Sequence, residues 1–126
     1  MSWPQVIAVF IGGGLGSLAR YLISLLVLRA SIGLFPWATV IANVLSCLVM
    51  ALYMNYSSER LMLDSWQRLF VLVGFCGGFS TFSTFSLENF LLLRQGAFGV
   101  LGLNITISVI LCVLVFVFLF KGIRTV

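Results

Sequence analysis

The chain has 126 residues, 62% of them apolar and only 8% charged, with seven basic residues against three acids for a formal charge of +4. An ordinary soluble domain carries about 25% charged residues, so a soluble monomer is excluded, and the apolar content fills about four segments of the ~20 residues that a ~30 Å hydrocarbon layer demands. The basic residues stand singly, at Arg20, Arg29, Arg60, Arg68, Arg94, Lys121 and Arg124, without the patch that binding nucleic acid requires.

The first predicted span covers about residues 5–28, with Pro4 suited to a helix start and Arg29 marking the exit. No basic residue precedes this apolar run, which is too long and too glycine-rich for a cleaved signal and is read as a span. Gly12 and Gly16, with Gly13 and Ser17 one step on, give it a small-xxx-small surface for close helix contact. Arg20 lies in its interior. A guanidinium there either snorkels and caps carbonyls or raises the local anion concentration.

A short link leads to a charge-free span over 37–56, where Asn43 and Ser46 stand at i and i+3. An asparagine amide in hydrocarbon needs a partner or a wet lumen, and either outcome turns it inward. The polar residues Ser57, Ser58, Glu59, Arg60, Asp64 and Ser65 form a loop before a third span over 66–94, and a fourth runs uncharged over 95–120 to Lys121. In that last span Asn104, Ser108 and Cys112 recur every four residues, a stripe that either completes a polar pathway or holds helices together.

The chain has no histidine, and its only acids are Glu59, Asp64 and Glu88, so converging acids, bases or side-chain metal ligands for an enzyme are missing. Cys47, Cys76 and Cys112 fall within apolar stretches without pairing or metal spacing and read as small membrane-buried side chains. Transport remains. Only Glu88 qualifies as an ionisable acid inside a span, either as a polar residue at an entrance or as a proton site. A small proton-coupled multidrug exporter wants a carboxylate in its first span, where none occurs; a nontransporting assembly subunit would use the same polar stripes only to hold helices.

Four spans place Arg60, Arg68, Lys121 and Arg124 on one membrane face and Arg29 and Arg94 on the other, with Arg20 able to reach the second. Such a small asymmetry orients the chain weakly. A subunit inserted both ways builds an antiparallel two-fold dimer whose axis lies in the membrane plane.

The densest signal is the run from Gly74 to Ser86, GFCGGFSTFSTFS. Its three glycines predict a break in the span between Gly74 and Ser80, releasing carbonyls that suit a small hard cation. Five hydroxyls follow, Ser80, Thr81, Ser83, Thr84 and Ser86, interleaved with Phe82 and Phe85. At about 100° per residue Phe82, Phe85 and Ser86 share a helix face with Ser83 beside it. Ring edges are electropositive and hydroxyls donate hydrogen bonds, so this face can hold an anion weakly; the same residues also serve plain helix packing.

The run GFCGGFSTFSTFS resembles the signature of the bacterial Fluc (CrcB) fluoride channels, and Asn43 within TVIANVLS and the opening GGGLGSLARY at Gly12 to Tyr21 resemble that family at its expected places. The resemblance covers all four spans, with firm motifs in three of them. It implies an all-α membrane protein of four transmembrane helices, the third broken mid-membrane, assembled as an antiparallel dual-topology homodimer in the lipid bilayer of the bacterial cytoplasmic (inner) membrane. It implies two pores per dimer, selective for the fluoride ion over chloride, through which fluoride leaves the cytoplasm passively. By matching motif positions, the backbone carbonyls of Gly77 and Ser80 from both subunits would hold a structural sodium ion at the dimer centre. Phe82 and Phe85 would be the paired rings beside each pore, drawn from opposite subunits. Asn43 would donate to the anion, Ser83, Ser86 and Ser108 would belong to a hydroxyl track, and Arg20 would line or shape an aqueous entrance. Ser80 stands where threonine is usual, a change the use of its carbonyl tolerates, and Asn104 and Cys112 are less typical of the family.

Overall fold

The structure, a computed structural model, describes residues 2–30, 33–56 and 65–120. The expected loop with Glu59, Arg60 and Asp64, and the terminal Lys121 and Arg124, lie outside the described residues. Among the described residues there are helices and no strands, and four helical segments are long and apolar enough to cross a membrane: Trp3–Ala30, Trp37–Tyr56, Trp66–Arg94 and Phe98–Leu119.

Helix α1 (Trp3–Ala30) and helix α2 (Trp37–Tyr56) are each continuous. At the start of α1 the Ser2 N–H is donated to Gln5 Oε1 at 3.0 Å, the back-reaching half of a capping box. The third segment has two parts. The first, α3, is helical through Trp66–Arg68, a π-helical stretch Leu69–Cys76, and Gly77–Phe79; the second is α4 (Phe82–Arg94). Gly96, at φ 71°, ends α4. Its N–H reaches the Leu93 carbonyl and that of Ala97 the Leu92 carbonyl, the paired bonds of a Schellman motif, and the chain turns into α5 (Phe98–Leu119).

α1 packs most extensively on α3, and α2 on α5. The α1–α3 contact is a seam of glycines. A Cβ on Gly12 would strike the Phe70 carbonyl, one on Gly16 the Phe75 carbonyl, and one on Gly78 the Gly13 carbonyl; one on Gly74 would stand 2.9 Å from the Val9 carbonyl. The small-residue surface expected on α1 is therefore a contact face, and its counterpart is the glycine run of α3. The break expected between Gly74 and Ser80 therefore does not involve the glycines. Gly74, Gly77 and Phe79 are all helical; Gly74 and Gly78 serve close backbone approach to α1, whose dispersion contacts outweigh the weak helix propensity of glycine.

Among the described residues the buried apolar core is small, comprising Ala8, Val40, Ala42, Ala51, Cys76, Phe79 and Leu92. Large apolar side chains such as Trp3, Phe10, Leu28, Phe98 and Phe118 are exposed. A water-soluble domain could not sustain that arrangement, whereas lipid solvates such a surface without cost.

Candidate functional site

Backbone geometry leaves the helix at Ser80 (φ −73°, ψ 158°) and Thr81 (φ −151°, ψ 120°). Two extended residues between helices release amides and carbonyls that buried backbone must satisfy elsewhere, and α2 supplies the partners. The Thr81 N–H is donated to Asn43 Oδ1 at 2.7 Å, and Asn43 Nδ2 donates back to the Thr81 carbonyl at 3.3 Å. Thr81 then caps α4, its Oγ1 accepting the Thr84 N–H at 3.2 Å, a placement its β-region backbone suits. One turn along α2, Ser46 Oγ donates to the Cys76 carbonyl at 2.9 Å, which also accepts the N–H and hydroxyl of Ser80. Asn43 and Ser46 both face inward, as their spacing requires.

Two carbonyls are left in an unusual position. In a continuous helix Gly77 would receive the Thr81 N–H and Ser80 the Thr84 N–H, but those donors are committed to Asn43 and to Thr81 Oγ1. Gly77 is exposed, and a Cβ added to it would meet nothing within 4 Å, so its backbone is approachable from outside the chain. Carbonyl oxygens in such a setting suit a small hard cation.

Beside the interruption lies an open cavity of about 370 Å³. Its wall takes Asn43 and Cys47 from α2, Ser80, Thr81, Phe82 and Phe85 from the interruption and α4, and Ser108, Val109, Cys112 and Val113 from α5. Of the residues predicted from sequence, Asn43, Ser80, Phe82, Phe85 and Ser108 are thus brought together. Ser83, Ser86, Gly77 and Arg20 are not in this wall. Ser83 and Ser86 are exposed along α4, with Ser83 Oγ 3.3 Å from Thr81 Oγ1. Arg20 is half-buried on α1, and its carbonyl accepts the Ser24 hydroxyl.

The Phe82 and Phe85 rings stand 5.9 Å apart, tilted by 37°. Phe85 is half-buried while Phe82 is 80% exposed, so one ring lines the cavity from within the fold and the other projects from the chain. The charged side chains of the described residues are absent from the wall. Its polar groups are neutral amide, hydroxyl and thiol.

Three features were not read from the sequence. Asn104, fully buried, donates to Asn89 Oδ1 at 2.9 Å and accepts the Ser108 hydroxyl at 3.4 Å, while Asn89 Nδ2 donates to the Phe85 carbonyl at 2.9 Å. This chain ties α5 to α4 behind the cavity, and Asn89, four residues after Phe85, is its unforeseen member. Thr39, one turn before Asn43, donates to Glu88 Oε1 at 2.7 Å, giving that acid a partner in α2; its spacing from Asn43 was the available signal. Glu88 also borders a separate cavity of about 150 Å³ with Leu34, Pro36, Leu91, Leu92 and Gln95. Finally, the Cys47 and Cys112 thiols are neighbours in the wall of the larger cavity, one from α2 and one from α5.

Comparison with known proteins places this geometry in a lineage. A family model described as "CrcB-like protein, Camphor Resistance (CrcB)" matches residues 7–121. The chain is 42% identical over 106 residues to a fluoride-specific ion channel FluC of Azobacteroides pseudotrichonymphae genomovar. CFP2, covering 84% of this chain and 85% of the relative. It is 43% identical over 116 residues to a FluC of Methylobacterium radiotolerans (90% and 80% covered), and 40% identical over 110 residues to one of Bacteroides fragilis (85% and 86% covered).

Proposed function

The chain belongs to the CrcB-like family and is a multi-pass bacterial membrane protein, and from that premise we propose that it is a passive fluoride channel whose pathway runs through the cavity beside Ser80 and Thr81. The observation that carries this reading is the composition of the wall: an amide, hydroxyls and phenyl rings, with no charged side chain. Removing water from a small, strongly hydrated anion is costly, and donors must replace the lost hydration. A full positive charge in the wall would hold the anion too tightly to let it leave. Neutral donors and ring edges offset dehydration while keeping each site weak enough for release.

Asn43 contributes through its second amide N–H, the first being directed at the Thr81 carbonyl. Ser80 and Ser108 add hydroxyls, Phe85 offers its edge from within the fold, and Ser83 and Ser86 continue the hydroxyl track along the exposed face of α4. Arg20 shapes the approach by drawing anions toward it. Fluoride that entered as its neutral weak acid dissociates in the cytoplasm and leaves as the ion, without an energy source.

The working unit in this proposal is an antiparallel dual-topology homodimer with two pores, the interruption lying at mid-membrane in each subunit. The exposure of Phe82 supports it, because a ring projecting from one chain is placed to enter the pathway of another. The carbonyls of Gly77 and Ser80, whose helical donors are engaged elsewhere, would hold a sodium ion between the subunits. Bound there, the ion would supply a fixed positive charge to these carbonyls.

The test is fluoride efflux from liposomes carrying the purified protein. Rapid electrogenic release of fluoride with little release of chloride is expected; equal release of both, or of neither, overturns the reading. Reporters fused to Val126 should appear on both sides of the membrane, and a single side would remove the dual-topology dimer.

A further inference from the structure

We propose that Cys47 and Cys112 form a bidentate site for the mercuric ion in the wall of the candidate pathway. The two thiols line one cavity as neighbours, Cys47 from α2 and Cys112 from α5. Each lies one helical turn beyond a polar residue of the same wall, Cys47 after Asn43 on α2 and Cys112 after Ser108 on α5. Both are half-buried, whereas the third cysteine, Cys76, is fully buried. The protein thus carries two thiols that open to the cavity and one that is sealed from it.

The ligand set selects the metal. Among the described residues no group of three or more histidine, cysteine, aspartate or glutamate side chains converges, so a tetrahedral zinc site is not formed. Two thiolates alone match a soft metal that accepts linear coordination. Charge selects further within that class. On binding Hg2+, each thiol gives its proton to water in the cavity and its sulfur forms one S–Hg bond; two protons leave, no electron is transferred, and the product is neutral. A monovalent soft cation held by two thiolates would leave a net negative charge, which an apolar wall penalises. The bound ion joins α2 to α5 one turn from Asn43 and Ser108 and narrows the cavity there, so conduction stops. That last step rests on the proposed channel function; the binding itself does not.

The test uses the full-length purified protein and mercuric chloride. Mercury bound per chain is measured alongside alkylation of native and denatured samples. One ion per chain is expected, with Cys47 and Cys112 together protected from alkylation and Cys76 reactive only after denaturation. Cys47→Ser, Cys47→Ala, Cys112→Ser and Cys112→Ala, checked for an unchanged elution profile, should lose the ion to competing glutathione at least about tenfold more readily, because the intramolecular second ligand is gone. Cys76→Ala should retain it. In liposomes one equivalent of Hg2+ should arrest fluoride efflux, and a dithiol chelator should restore it. Two ions per chain, or single-cysteine variants that hold mercury as tightly as the parent, would overturn the site; bound mercury with undiminished efflux would overturn its place in the pathway wall. A protein without any fluoride efflux would refute the channel reading, and the stoichiometry would still decide the site.

Discussion

Asn43 and Thr81 exchange two hydrogen bonds, the side-chain amide of one matching the backbone of the other at 2.7 and 3.3 Å. The extended backbone of Thr81 therefore depends on α2 for the partners that a continuous helix would have given it. Asn43→Ala leaves a buried N–H and a buried carbonyl unmatched, at roughly 1–3 kcal/mol for each unsatisfied group. The variant should melt at lower temperature in detergent and lose fluoride efflux. Asn43→Asp should also fail, since it keeps an acceptor for the Thr81 N–H but sets an oxygen against the Thr81 carbonyl. A melting curve and efflux rate equal to the parent's in either variant would contradict this role.

The glycines divide into two classes. Gly16 and Gly78 face backbone so closely that a methyl group must displace it, whereas Gly14 and Gly99 have nothing within 4 Å of an added Cβ. Gly16→Ala and Gly78→Ala are expected to destabilise by about 1–3 kcal/mol or more through forced separation of α1 and α3. Gly14→Ala and Gly99→Ala should be neutral or stabilising by up to ~1 kcal/mol, because alanine is the better helix former. Thermal melting and monodisperse yield in detergent separate the two classes; equal behaviour of all four would remove the seam.

The same glycines mark the limit of what the sequence discloses. Hydropathy and length locate the four spans within a few residues, as with the span expected over 37–56 and found as Trp37–Tyr56, since lipid solvation acts on each segment alone. Whether a glycine loosens a helix or admits a neighbour depends on what stands opposite. The interruption consequently falls at Ser80 and Thr81 rather than within the glycine run. Asn43, Phe82, Phe85 and Ser108 were legible because polar and aromatic groups in hydrocarbon need an explanation wherever they sit. Asn89, the Thr39–Glu88 bond and the Cys47–Cys112 contact were not, each being a pairing between helices that no spacing along the chain reveals.

Phe82 and Phe85 differ in exposure while sharing a ring contact. Isoleucine preserves apolar bulk and helix compatibility but lacks the electropositive ring edge. Phe82→Ile and Phe85→Ile should each suppress fluoride efflux from liposomes by about tenfold or more, equivalent to about 1.4 kcal/mol of lost stabilisation along the path. Melting should change less for Phe82→Ile, whose ring makes little contact within its own chain. Undiminished efflux in both variants would refute the ring role.

The Asn89, Asn104 and Ser108 chain separates structural from conductive effects. Asn89→Leu strands the buried amide of Asn104, and Asn104→Leu strands both the Asn89 carbonyl and the Ser108 hydroxyl. Each single variant should destabilise, while the double variant should cost less than the sum because both stranded amide partners are gone. Coupling of about 0.5–2 kcal/mol is expected for hydrogen-bonded groups in contact within a membrane protein. Efflux should divide differently. Asn104→Leu removes the acceptor that orients the Ser108 hydroxyl in the cavity wall and should slow fluoride, whereas Asn89→Leu leaves that bond in place and should slow it less at matched folded protein. Thermal melting of all four proteins and efflux per folded chain provide the readouts. Additive destabilisation would show that the two amides do not act as a pair, and equal slowing by both single variants would show that Ser108 is not oriented through Asn104.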